Sequence, residues 1–317
     1  MSVRVGVATI ARGRARHLER QAVGVGGQSR PADRYVVVAM DRSGADAEAA
    51  LARAALPPSL TREVRLLPVA DGAPLPLATA RNAAIAALGD VDLAILVDVD
   101  CIPHPQLVAR YLAADAWAAD RPHLLAGPVG HLPPGRPAGT RLGPDDMAAA
   151  RVRGRPVPGD AEIRPEPRHE LFWSLSFAVR PATHARIGGF DEAYRGYGAE
   201  DTDYARRAAR AGVALAWAGG AWAYHQDHGP SGPVREHVED IVRNARVFHE
   251  RWGVWPMEGW LERLAAEGLV DWRPEAGVLC STTAPRGPRD RPVSPGSAWR
   301  PSPEGPPRPV RGLPLDG

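Results

Sequence analysis

No lysine occurs among the 317 residues, so all 39 basic side chains are arginines. That excludes chemistry resting on a side-chain amine: a Walker-type phosphate loop, the strand lysine of a protein kinase, or a Schiff-base lysine. Asparagine is nearly missing too, with Asn82 and Asn244 its only examples. Coding bias in a GC-rich gene accounts for such depletion, and the chemical exclusion holds whatever the cause. Cysteine is scarce, and Cys101 and Cys280 stand far apart without paired spacing. Neither a disulfide framework nor a thiolate zinc site is expected, and a reducing, cytoplasmic location fits.

Long apolar runs are also lacking. The longest, Val213 to Tyr224, is broken at Gly219 and Gly220, and it falls short of the roughly 20 residues a membrane span needs. The opening MSVRVGVATIARGR lacks the ordered basic, apolar and small-residue regions of a secretory signal. A soluble protein is expected, with peripheral membrane association compatible. There is no excess charge either: 39 basic groups face 37 acidic ones, and six of the arginines fall after Cys280. The rest of the chain is near neutral and has no arginine run, which argues against a nucleic-acid partner, whose affinity comes mostly from phosphate neutralisation.

What is present reads as an α/β domain. Apolar strands are expected at Val3–Ile10, Tyr35–Met40, Arg65–Val69 and Asp92–Val97, with helices at about Ala15–Val23, Ala45–Ala55 and Leu77–Leu88 between them. Such alternation predicts a mostly parallel central sheet covered on both faces, with ligands at the carboxyl ends of the strands, where Asp41 and Asp98 fall. A helix (Pro105–Ala114) and a strand (His123–Val129) follow. Residues 132–168 are then rich in Pro, Gly and Arg and read as a long functional loop or lid. Order is expected again at the apolar run Leu171–Val179, the helix Glu200–Ala211, the short strand Ala214–Trp217 and helices at Val234–Trp252 and Glu258–Glu267. The last 37 residues, with ten prolines and five glycines, read as a disordered tail. The expected organisation is one domain over 1–272 and a tail over 281–317. The domain comprises a ligand-binding half (1–130), a loop (131–170), a catalytic half (171–230) and C-terminal helices (231–272).

Three clusters carry chemistry. Asp98-Val99-Asp100 ends the fourth strand. Residues i and i+2 of an extended segment share a side, so the two carboxylates are expected to converge on a divalent cation. The tripeptide alone also describes two solvated acids in a turn. Glu200 and Asp201 open a helix after an aromatic, glycine-bracketed turn, GGFDEAYRGYG, where the helix dipole favours their ionised forms. Tyr224-His225-Gln226-Asp227-His228 follows an apolar stretch that can carry His225 inward as a metal ligand; His228 is the weaker candidate. Arg81-Asn82, on the helix before the DLAILVDVD strand, offers a guanidinium for a diphosphate or an aspartate.

Taken together, ATARNAAIAALGDVDLAILVDVDCIPHP (78–105), LFWSLSFAVRPATHARIGGFDEAYRGYGAEDTDYARRA (171–208) and WAYHQDH (222–228) resemble a glycosyltransferase of the GT-A fold. The likeness is to glycosyltransferase family 2, with a second half similar to the galactosyltransferase C-terminal region, and covers about residues 3–270. It implies a hexosyltransferase using a nucleotide-diphospho-sugar donor and Mn2+ or Mg2+. Asp98, Asp100 and His225 would be the metal residues, and Asp41, Arg81, Asp98 and Asp100 the donor residues. Glu200 and Asp201 would supply the general base and acceptor contact, with either as base. Tyr197 and Trp173 would face an acceptor, whether glycan, lipid-linked or small natural product. The implied reaction is a direct displacement that inverts the anomeric centre. The acceptor loop departs from the galactosyltransferase pattern W-G-W-G-G-E-D: it reads YRGYGAED, with Arg195 adding charge and Ala199 replacing a glycine.

Two other readings compete. A D-x-D phosphotransferase of the haloacid dehalogenase type carries its motif on the first strand and usually needs a lysine; here the motif is on the fourth strand and no lysine exists. A non-catalytic nucleotide-sugar-binding protein on the same fold is the other.

Overall fold

The computed structural model describes residues 3–137, 139–228 and 235–282. The amino-terminal half alternates as expected: β1 (Val5–Ala11), α1 (Ala15–Gly26), β2 (Arg34–Ala39), α2 (Ala45–Arg53), β3 (Thr61–Leu66), α3 (Leu77–Ala87) and β4 (Leu93–Val97). Next come β5 (Cys101–Pro103), α4 (Leu107–Ala118), β6 (His123–Ala126), β7 (Val129–His131), α5 (Pro144–Ala149), β8 (Arg151–Val152), β9 (Ile163–Glu166), β10 (Ser176–Val179), α6 (Pro181–Ile187) and α7 (Glu200–Arg210). The chain continues through β11 (Ala214–Ala218), β12 (Ala223–His225), α8 (Val238–Trp252), α9 (Glu258–Ala266), β13 (Val270–Arg273) and β14 (Val278–Ser281).

Eight strands form the main sheet in the order β3-β2-β1-β4-β10-β6-β11-β9. β3, β2, β1 and β4 run parallel, as do β6 and β11, whereas β10 and β9 run antiparallel to their neighbours. Successive side chains of a strand point to opposite faces, so Val5 and Val7 join one core with α1, α2 and α4, while Ala8 and Ile10 join a second with α3 and α7. Burial on both faces explains why these strands read as continuous apolar runs.

Several boundaries differ from expectation, each for a physical reason. β3 begins at Thr61 rather than Arg65 because it is an edge strand, exposed along most of its length and therefore polar. The run His123–Val129 is not one strand: it divides at Gly127-Pro128 into β6 in the main sheet and β7 in a second, four-stranded sheet ordered β5-β12-β7-β8. At Gly127 the chain passes so close to the Ala221 carbonyl that a Cβ would collide with it. The Pro/Gly/Arg-rich stretch is not one loop either, since it contains α5, β8 and β9. β9 tolerates Pro165 because it is the other edge of the sheet, where a missing N–H is harmless. The ordered part also runs past residue 272. In the β13–β14 hairpin Val270 pairs with Ser281, and its Leu279 packs with Val238, Ile241 and Leu261 of α8 and α9. The tail expected to be disordered lies, from Thr283 onward, outside the described residues.

Candidate functional site

The second sheet builds the site. β12 lies between β5 and β7, and its register puts His225 opposite both Cys101 and His131. His225 therefore arrives beside Asp100, the residue preceding β5. Its Nε2 lies 3.5 Å from Asp100 Oδ1, and His228 Nε2 lies 3.3 Å from Asp100 Oδ2. One ligand atom from each of Asp100, His225 and His228 falls within 4.8 Å of the others. Two bonds of about 2.1 Å reach nearly that far, so small side-chain movements let the three share an ion. One carboxylate and two imidazoles suit Mn2+ better than Mg2+, which prefers an all-oxygen shell. Burial lowers the His225 pKa, which keeps the ring neutral as a ligand must be. Burial also disfavours a charged Asp100, but the His228 hydrogen bond and the Arg14 charge, joined by His225 whenever that ring is protonated, outweigh it and hold the carboxyl well below its ordinary range. Arg14 Nη1 donates to Asp100 Oδ2 at 2.6 Å.

Asp98 does not converge with Asp100 on that point. The backbone turns directly after β4, with the Cys101 N–H donating to the Asp98 carbonyl at 2.8 Å, so the extended geometry behind the expectation is absent. Asp98 instead accepts from Arg81 Nη2 at 3.3 Å, and the other end of the same guanidinium donates to Glu200 Oε1 at 2.9 Å. Arg81, on α3, is buried and thus ties the end of β4 to the start of α7. Burial pushes the Asp98 pKa up to about 6, with Asp100 and Glu200 adding to the rise and Arg81 opposing it.

Asp201 follows Glu200 in the first turn of α7 and makes no direct ion pair among the described residues, although the Arg81 charge still acts on it. Its Oδ1 accepts the Thr202 N–H at 2.7 Å. Burial, then the neighbouring Glu200 charge, raises its pKa to about 6. The loop before α7 is held by both asparagines of the chain. Asn82 accepts the Phe190 N–H at 2.7 Å and donates to the Phe190 carbonyl at 2.9 Å. Asn244, on α8, accepts the Arg195 N–H at 3.3 Å and donates to the Tyr197 carbonyl at 3.2 Å. Gly196 lies in the left-handed region, and a Cβ there would strike the Asp240 carboxylate. Ala199, standing where the galactosyltransferase pattern has glycine, also adopts a left-handed φ of 70°. Its methyl packs against Tyr194 and Phe248.

Tyr197 and Trp173 remain exposed near these acids. Tyr197 is stacked between His237 and Trp260, with centroids 5.4 and 5.6 Å away. Asp41 stands at the end of β2, one strand beyond β1 from β4. Its Oδ1 accepts the N–H groups of Ser43 and Gly44 at 2.9 and 2.6 Å, so it shapes the turn into α2.

Sequence reasoning missed Gln21. Wholly buried on α1, it donates to the carbonyls of Val97, Asp98 and Cys101 at 3.2, 2.6 and 3.1 Å, fixing the turn that carries both aspartates. A signal existed, because an amide among Leu18, Ala22 and Val25 on a helix's apolar face needs partners. His131 was also missed. Its ring centroid is 4.9 Å from that of His225, and burial, His225 and Arg153 depress its pKa to about 4.

This architecture is the GT-A fold of glycosyltransferases. Residues 162–226 match the family model described as the N-terminal domain of galactosyltransferase; in this chain the match spans β10, α7 and the strand bearing His225. Among solved structures the chain is similar to two of S. aureus TarS 1–349, one of them in complex with UDP. Each shows a TM-score of 0.52 and 16% identity over 77% of this chain and 64% of TarS 1–349. The longer S. aureus TarS structure gives a TM-score of 0.50 and 16% identity over 78% of this chain and 40% of that one. The chain thus spans less than two thirds of these structures. No curated protein sequence matches it. Among the described residues no helix is long and apolar enough to cross a membrane.

Proposed function

We propose that this protein is an inverting, metal-dependent glycosyltransferase that moves a hexose from a nucleotide-diphospho-sugar to an acceptor hydroxyl. The observation that carries the reading is the Arg81 bridge. It couples the end of β4, where Asp100 meets His225 and His228, to the helix start bearing Glu200 and Asp201. The two halves divide the work. Asp100, His225 and His228 would hold Mn2+, which when bound would neutralise charge on the departing diphosphate. Asp41, beyond β1, falls on the nucleotide side.

Asp201 is the better base of the two acids. Glu200 is held by Arg81 at 2.9 Å, whereas Asp201 makes no direct ion pair among the described residues, and burial raises its pKa to about 6. A carboxylate of that pKa is ionised near neutral pH yet basic enough to take a proton. Asp201 accepts the acceptor's hydroxyl proton as that oxygen bonds to the anomeric carbon. The bond from that carbon to the diphosphate oxygen breaks, and its electron pair leaves with the nucleoside diphosphate. Attack from the face opposite the leaving group inverts the centre. Glu200 and Arg81 position the start of α7, while Tyr197 and Trp173, whose rings are already stacked on neighbours, would line the acceptor side with their exposed parts.

A thermal-shift screen of UDP-, GDP- and dTDP-sugars with and without Mn2+ tests the reading. Stabilisation by one nucleotide class, enhanced by Mn2+, is expected. No stabilisation by any nucleotide would overturn it.

A further inference from the structure

Five arginines among the described residues bury a guanidinium nitrogen that has no hydrogen-bond partner: Arg12, Arg34, Arg155, Arg207 and Arg243. Four of them are ion-paired through another nitrogen, with Asp71, Glu63, Asp203 and Asp240 respectively. Arg155 alone has no ion pair among the described residues. Its Nη1 donates to the Gly154 carbonyl at 2.9 Å, and its Nε is the buried, unpartnered atom. A half-buried charge with no counter-charge in direct contact is costly unless something else supplies one.

The surroundings indicate what does. The Arg155 guanidinium lies over the Trp173 ring, 3.5 Å from its centroid, and both line a cleft with Arg153, His131, Leu175 and Trp217. Gly154 takes a left-handed φ of 58° with nothing near its missing Cβ, so the turn between the two arginines is not imposed by packing. Arg153 acts electrostatically on His131 and His225, at the metal end of the cleft, whereas the charge acting on Arg155 is Asp201. Burial drives the Arg155 guanidinium down to about 10 even with Asp201 opposing the shift, so an arriving anion would find it poorly compensated.

Resting on the transferase reading, we infer that Arg155 and Trp173 form a subsite for an acidic group, a carboxylate or phosphate ester, carried by the sugar or acceptor that reacts beside Asp201. The donor's diphosphate does not meet this demand, because on the transferase reading it lies at the Asp100–His225–His228 end, where the bound ion and Arg153 would meet its charge. Nε and Nη2 of Arg155 make no hydrogen bond among the described residues, and that pair of donors suits a two-oxygen anion once the buried Nε is uncovered; the indole beneath holds the fork in place. The substrate class so defined is acidic.

Equilibrium binding to the full chain, in two arms, tests this. The donor arm compares glucuronate- and glucose-bearing conjugates of the nucleotide chosen by the thermal-shift screen. The acceptor arm compares glucuronate, glucose 6-phosphate and glucose, with and without that nucleotide. The parent is expected to prefer acid over neutral ligand by about tenfold in one arm, and that arm identifies which substrate carries the group. Arg155→Gln should abolish the preference and Arg155→Lys should retain part of it, with circular dichroism confirming that both fold. Equal affinity for acid and neutral ligands in both arms, or an undiminished preference in Arg155→Gln, would overturn the inference. A parent that binds no nucleotide would overturn the transferase reading instead, while the nucleotide-free acceptor arm still judges the subsite.

Discussion

Arg81 and Glu200, separated by 119 residues, form a buried ion pair at 2.9 Å that joins α3 to the first turn of α7. The same guanidinium holds Asp98, so a single buried cation pairs with two acids. Removing one member of a buried pair strands the other, at a typical cost of about 3–5 kcal/mol. Arg81→Met is therefore expected to destabilise the protein by about that much in urea unfolding. Glu200→Gln, which keeps a hydrogen-bond acceptor, should cost less.

The pH dependence follows from Asp201. Its folded pKa, about 6, lies above the ordinary 3.8. The native state therefore holds the proton more tightly than the unfolded chain, and the associated stability is fully present below pH 3.8 and lost as pH rises through about 6. Asp201→Asn should then raise stability above pH 6, by on the order of 2–3 kcal/mol. Activity should behave oppositely. The acidic limb of kcat/KM is expected near pH 6 in the parent, because only the ionised carboxylate accepts a proton. Urea titrations and rate profiles from pH 4 to 8 check both signs.

The metal cluster makes a separable prediction. Asp100→Ala, His225→Ala and His228→Ala should each abolish the Mn2+-dependent part of the thermal shift with donor. Asp98→Asn should leave much of it, since Asp98 faces Arg81 rather than the two imidazoles. Retention of the full Mn2+ response in His228→Ala would remove that residue from the ligand set.

The asparagines test the loop. Asn82 and Asn244 hold Phe190 at one end and Arg195 and Tyr197 at the other. Replacing either by alanine leaves backbone groups unpaired, at about 1–3 kcal/mol each. Hydrogen exchange over residues 190–197 should accelerate in both variants, and more locally than global destabilisation requires.

Much of this was legible in the sequence, and the exceptions share causes. Strands buried on both faces, such as Tyr35–Ala39 and Leu93–Val97, announce themselves as apolar runs. Edge strands do not: β3 is polar and β9 contains Pro165, because each pairs on one side only. That Asp100 meets His225 and that Glu200 and Asp201 open a helix was readable from residue type and position. The separate orientations of Asp98 and Asp100 were not, because they depend on a turn fixed by Gln21 from another helix. Arg153 and Arg155 lie in a stretch without periodicity, and only the tertiary structure brings Arg155 against Trp173 and Arg153 into the same cleft.

The central claim is that donor binding and proton abstraction belong to different residues, and one paired measurement tests it most directly. Mn2+-dependent donor affinity and the rate of nucleoside diphosphate release are compared in the parent, Asp201→Asn and Asp100→Ala. Asp201→Asn should bind donor as the parent does while its release rate falls by about 10²–10⁴-fold, the usual contribution of a general base. Asp100→Ala should lose the Mn2+-dependent affinity itself. Parental turnover in Asp201→Asn, or parental Mn2+-dependent affinity in Asp100→Ala, would contradict the account.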